Sequence, residues 1–183
     1  MIYIVTGIHR TGSSMMTRAI ALSSGLPTVR NKEIEKIIRA KEADPNYDPN
    51  PHGYWVIDPN KTHPWEHDGT LMKCPVYIVR FLPDSIGEYK VILMKRNLAE
   101  SRASFKKAFN EKIPDNLIQI GDELEQIAPG RPNIDLTVVN YSDVIDDPLK
   151  VFTGLKAAGW PIDPQTAANL VEPDLYRVKA PKN

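Results

Sequence analysis

Two groups of residues in this 183-residue chain have the types and spacing to grip an anion. The first is Arg10 with Ser13 and Ser14, set in a short loop bracketed by Gly7 and Gly12. A guanidinium forks onto a pair of oxyanion oxygens, and hydroxyls and backbone N–H groups complete such a cradle. The second is Arg96 with Ser104 eight residues on and Ser101 between them. On a helix that separation is about two turns, so an arginine at a strand end and a serine on the next helix can converge on one phosphate. Three histidines, His52, His63 and His67, lie in a third stretch, and an imidazole titrates in the range suited to taking a proton from an alcohol.

The elements that must position these groups are readable. Ile2, Tyr3, Ile4 and Val5 are β-branched or aromatic, as a buried parallel strand requires. From Ser13 the run SSMMTRAIALSSG has helical spacing and stops at Gly25, so its first N–H groups and positive dipole end face whatever the loop holds. Tyr89 to Met94 reads as a second buried strand, with Arg96 just past its carboxyl end and a helix from about Leu98. Strands near 2–6, 70–74, 89–95 and 134–140 alternate with helices near 13–24, 98–110, 114–128, 147–158 and 164–171, and a further helical pattern covers 31–43. This alternation predicts one α/β domain over 1–183, a P-loop-type parallel sheet flanked by helices. Asp147 and Pro148 suit the cap and first turn of the helix that follows.

The first loop nearly spells the nucleotide-triphosphate pattern GxxxxGK[ST], but the lysine position is Ser13 and the cation has moved upstream to Arg10. With that displacement the string HRTGSSMM at 9–16 resembles the 5′-phosphosulfate loop of the sulfotransferases. Arg96 followed by Ser104 is similar to that family's 3′-phosphate site, and the segment from Tyr141 to Asp147-Pro148 is similar to its closing motif, with Ser142 where a glutamate is common. The resemblance spans most of the chain. It implies sulfuryl transfer from 3′-phosphoadenosine 5′-phosphosulfate (PAPS) to a hydroxyl or amine, with 3′-phosphoadenosine 5′-phosphate (PAP) as product and no metal. It further implies that Arg10, Thr11, Gly12, Ser13, Ser14 and Met15 hold the 5′ end, that Arg96 and Ser104 hold the 3′-phosphate, and that Tyr141 contacts the adenine or the loop.

Lys73 matches the family lysine that lies across the transferring group, but the position two residues on, usually the histidine base, is Pro75. The base must then come from elsewhere. The candidates are His52, His63 and His67, with Glu33, Glu35 and Asp58 as carboxylate alternatives, and His63 or His52 is preferred. Residues 44–70, with five prolines, three histidines, Trp55 and Trp65, form a long loop suited to a small-molecule or carbohydrate acceptor. The family's basic glycine-containing tail has only a partial counterpart here in Arg177, Lys179 and Lys182. Two other classes remain open: a P-loop kinase of a nucleotide or small metabolite, and a nucleotide-binding homologue without turnover.

Composition sets outer bounds. The 23 basic and 23 acidic side chains cancel, which argues against a general nucleic-acid or membrane-surface binder. Cys74 is the only cysteine, so no intramolecular disulfide can form. With no apolar run long enough to span a bilayer, the expectation is a cytoplasmic protein.

Overall fold

The structure is a computed structural model that describes residues 1–178. Five parallel strands form one sheet in the order β2-β3-β1-β4-β5. They are β1 (Ile2–Thr6), β2 (Thr28–Val29), β3 (Leu71–Lys73), β4 (Tyr89–Lys95) and β5 (Ile134–Asn140). The helices are α1 (Ser13–Ser24), α2 (Lys32–Arg39), α3 (Val76–Arg80), α4 (Leu98–Phe109), α5 (Asp115–Ile127), α6 (Tyr141–Asp146), α7 (Pro148–Ala157) and α8 (Pro164–Asn169). The expected α/β architecture, a parallel sheet flanked by helices, is therefore what the chain adopts.

Strand alternation divides the core into two halves. Val5, Ile92 and Met94 face a cluster with Met16, Ile20, Phe152 and Trp160, against α1, α7 and α8. Ile2, Ile4, Val91 and Leu93 face the opposite cluster with Val76, Val79 and Leu124, against α3 and α5. With both faces covered, β4 is buried through six of its seven residues. That double burial explains its continuous apolar run.

The sheet order also fixes where a ligand belongs. From β1 the chain runs out to β2 and β3 on one side, then crosses to β4 and β5 on the other. The crevice at the carboxyl end of β1 is the switch point of an open α/β sheet.

Three local features differ from the sequence reading. Val76–Arg80, outside the elements expected from the pattern, is helix α3, with Pro75 at its N-cap, where a proline cannot continue the ladder of β3. The helix expected from 147 is preceded by α6, which starts at Tyr141 directly after β5. Asp147 then caps α7 by accepting from Lys150 N at 3.1 Å. Helix α2 is shorter than its pattern, Lys32–Arg39, with Asn31 accepting from the N–H groups of Glu33 and Ile34 at its start. Among the described residues no helix is long and apolar enough to cross a membrane.

Candidate functional site

The loop from Gly7 to Gly12 leaves β1 and turns back into α1 in a conformation that its neighbours hold rigid. Gly7 has φ 152°, and a Cβ there would lie 2.5 Å from Thr11 Oγ1 and 2.7 Å from the Met94 carbonyl oxygen. Thr11 Oγ1 donates to Ile8 O at 2.8 Å, pinching the loop from within. Gly12 has φ 90°, and a Cβ would meet Tyr141 Cδ2 at 2.4 Å. Glycine is required at both places by close approach as well as by backbone angle. No side chain caps α1, so its first N–H groups open into a cleft of about 390 Å³ lined by Gly12, Ser13, Ser14 and Met15.

Two cations line that cleft. Lys73, from the carboxyl end of β3, donates to Ser14 Oγ at 2.8 Å and to the Tyr54 carbonyl at 2.7 Å. Arg10, itself at φ 68°, donates from Nε to Ser104 Oγ at 3.1 Å and from Nη2 to Pro49 O at 3.0 Å. With the Asn50 amide turned to its bonding orientation, that oxygen accepts from Arg10 Nη1 at 2.8 Å. Every one of these acceptors is neutral. Among the described residues neither cation has a carboxylate partner. Burial pushes the Lys73 pKa down to about 7, and the neighbouring Arg10 charge adds to the effect. Burial also lowers Arg10 from its ordinary value.

Arg96 sits differently. Its side chain is 8% exposed and its Nε donates to Glu100 Oε2 at 2.9 Å. Nη1 donates to the Arg10 carbonyl at 3.2 Å and Nη2 donates to the Val178 carbonyl. The guanidinium carbon lies 4.9 Å from the ring centres of both Tyr141 and Tyr176, which meet each other edge to face. Arg96 and Ser104, expected to converge on one phosphate, both line the cleft, and in the structure they hold separate partners. Arg96 takes Glu100, in the first turn of α4, while Ser104 accepts from Arg10.

The opposite wall comes from the long loop. Glu35 on α2 accepts from Arg30 Nη2 at 2.6 Å, from Arg30 Nε, and from the N–H groups of Tyr54 and Trp55 at 3.3 and 2.9 Å. Burial pushes its pKa up, but the Arg30 hydrogen bonds and charge outweigh this and hold it below the ordinary value. This carboxylate fastens the turn at Gly53 that aims the Tyr54 carbonyl at Lys73. A C-terminal segment closes over the cleft: Glu172 joins Arg18 at 3.1 Å and His52 Nε2 at 2.6 Å, and Arg177 donates to Asp48 O at 2.7 Å. Lys179 and Lys182 lie outside the described residues.

Of the residues read from the sequence, Arg10, Gly12, Ser13, Ser14, Met15, His52, Lys73, Arg96, Ser104 and Tyr141 all line this one cleft. Thr11 does not: it is 1% exposed and its hydroxyl is spent on Ile8 O. His63 lies outside the lining and stacks on Trp65 at 5.0 Å. His67, Glu33 and Asp58 are outside it as well, and the oxygens of Glu35 are committed to Arg30 and two backbone amides. Tyr141 meets the loop, through Gly12, as one of its two expected roles. Among the described residues no group of three or more His, Cys, Asp or Glu could hold a metal ion.

The sequence reading missed His9. Its ring opens into the cleft, stacks on Phe105 at 4.9 Å, and has its pKa pushed down to about 4 by burial and by the Lys73 and Arg10 charges. The available signal was its place beside Arg10 in the loop.

Neither a family model nor a curated protein matches the chain. Among solved structures, an unliganded sugar kinase from a Janibacter species is similar over 90% of this chain and 96% of that chain, at 15% identity and a TM-score of 0.46. So low a score bears on neither fold nor function.

Proposed function

We propose that the chain is a PAPS-dependent sulfotransferase acting on a hydroxyl or amine of a small-molecule or carbohydrate acceptor. The observation that carries this reading is the pairing of Arg10 and Lys73 with neutral acceptors at an uncapped helix N-terminus. Buried cations without a directly bonded carboxylate are costly, and an anionic ligand relieves the cost. In the proposed reaction an acceptor oxygen attacks sulfur in line while the bridging oxygen to the 5′-phosphate leaves. Arg10 would stabilise charge on that leaving oxygen, and Lys73 would stabilise charge on the equatorial sulfuryl oxygens. Ser13, Ser14 and the amides of the first turn of α1 would hold the 5′-phosphate. Catalysis of this kind is chiefly positioning and electrostatics.

One observation favours a second reading. Lys73 reaches Ser14 at the start of α1 from β3, so a lysine does stand beside the loop even though Ser13 occupies the usual position. A P-loop kinase could use it on the β- and γ-phosphates of ATP. Calorimetry with PAP and with ATP plus magnesium separates the two. PAP bound at least tenfold more tightly is the expected result. Preference for ATP with magnesium, or no binding of PAP, defeats the sulfotransferase reading. PAP binding without release of PAP from PAPS leaves the nucleotide-binding homologue.

A further inference from the structure

We propose that His9 is the base that accepts the acceptor's proton, an inference that rests on the sulfuryl-transfer reading. The position two residues after Lys73 is Pro75, which lines the cleft and has no group to take a proton. The other imidazole in the lining, His52, is held by Glu172 at 2.6 Å. His63 and His67 lie outside it. His9 is the remaining one. It immediately precedes Arg10 in the anion loop and lines the same cleft as Arg10 and Lys73, close enough for both charges to act on its ring.

Its surroundings suit the task. One ring face stacks on Phe105 at 4.9 Å with 29° between planes, and Phe109 continues the wall at 5.0 Å from Phe105. That wall fixes the imidazole and offers an apolar face to the body of an acceptor. Among the described residues neither ring nitrogen makes a hydrogen bond. The charged groups acting on the ring are Lys73 from β3 and Arg10 from the loop, while α4 presents neutral Phe105. Both charges and burial hold the imidazole neutral above about pH 4. A multiply charged donor lying on Arg10 and Lys73 offsets those charges, so the affinity of His9 for a proton rises when the donor is bound.

In the step itself the acceptor oxygen forms its bond to sulfur as its proton passes to a ring nitrogen of His9. The bond between sulfur and the bridging oxygen breaks, and its electron pair leaves on PAP. The later loss of the proton from His9 to solvent resets the site.

The test uses the full chain, with water as acceptor. PAP release from PAPS is measured for the wild type, His9→Gln and His9→Ala, with PAP affinity measured on the same samples. The expected result is turnover lowered about 100-fold or more, PAP affinity changed less than threefold, and partial recovery of His9→Ala by added imidazole. An NMR titration of the His9 ring gives a readout that does not depend on turnover, and its apparent pKa should rise by at least one unit when PAP is added. Equal turnover in His9→Gln, or a ring titration indifferent to bound PAP, overturns the assignment while leaving the nucleotide site standing. Absence of PAP binding by the wild type overturns the underlying reading itself.

Discussion

The two arginines at the cleft, Arg10 and Arg96, are the same residue type a few ångströms apart along one hydrogen-bond chain, yet the protein treats them oppositely. Arg96 donates to the Arg10 carbonyl, to Val178 O and to a carboxylate, with the mutually contacting Tyr141 and Tyr176 rings packed against it. Arg10 and its neighbour Lys73 find only carbonyls, hydroxyls and an amide. A buried cation with a carboxylate has part of its desolvation cost offset by that partner, and removing either one strands a buried charge. One with neutral partners keeps its attraction for an anion. Under the proposed function, the difference separates a half of the site that would hold the fold from a half that would bind the donor.

The sharpest way to break this comparison is Arg96→Ala. The substitution deprives Glu100, 7% exposed, of its guanidinium and removes the contact between β4 and the closing segment. Breaking a buried ion pair from one side costs about 3–5 kcal/mol, which for a chain of this size is a fall in Tm of roughly 6–20 °C. Arg96→Ala combined with Glu100→Ala should recover part of the loss. A Tm within about 2 °C of wild type for the single variant would place Arg96 with the ligand-binding half instead.

Arg10→Ala should do the reverse. PAP affinity should fall by about 2–4 kcal/mol, a factor of roughly 30 to 1,000, as expected for removing a charged partner of a buried anion. Thermal stability should move by less than about 1 kcal/mol, because hydrogen bonds to neutral groups contribute little net and a buried charge is lost with them. Calorimetry and a melting curve on the same sample decide it. A variant that loses stability as Arg96→Ala does, without losing PAP, erases the distinction between the halves.

What the sequence disclosed of this site was its local part. Gly7, Gly12 and Gly25 mark a loop and a helix end that the backbone angles require, and β-branched residues before them mark a strand. Arg96 at the end of β4 and Asp147 at the start of α7 follow from the same local chemistry. Other features are settled by distant contacts. The two-residue β2 pairs with β3 at the sheet edge and has too little length for a periodic signal. Arg96 and Glu100 have i,i+4 spacing, an ion-pair signal in plain view. Its outcome nevertheless depends on Tyr176, whose hydroxyl donates to Glu100 from 76 residues away. His52 and His63 are equivalent by composition, and only the path of the long loop puts one at Glu172 in the cleft and the other on Trp65. Spacing finds which residues can bind an anion, whereas partners at long range decide which of them are left to do so.

The smallest expected effect concerns Lys73 and follows from its pKa near 7 against an ordinary 10.5. Folded Lys73 holds its proton less tightly than the unfolded chain does. Between pH 7 and 10.5 the unfolded state therefore carries more protons, and this group makes stability rise with pH across that window. Nucleotide binding has the opposite sign. An anion beside Lys73 favours the ammonium, so binding takes up a proton wherever free Lys73 is neutral. PAP affinity should be flat with respect to this group just below pH 7 and weaken above it, by at most about tenfold per pH unit. Calorimetry in buffers of different ionisation enthalpy at pH 8 should register the proton uptake, and Lys73→Met should abolish it. Arg10→Ala should move the onset to higher pH, since the Arg10 charge is part of what lowers Lys73. An onset that stays near pH 7 without Arg10 would mean that burial alone sets the value, and that the two cations do not act as one anion-binding half.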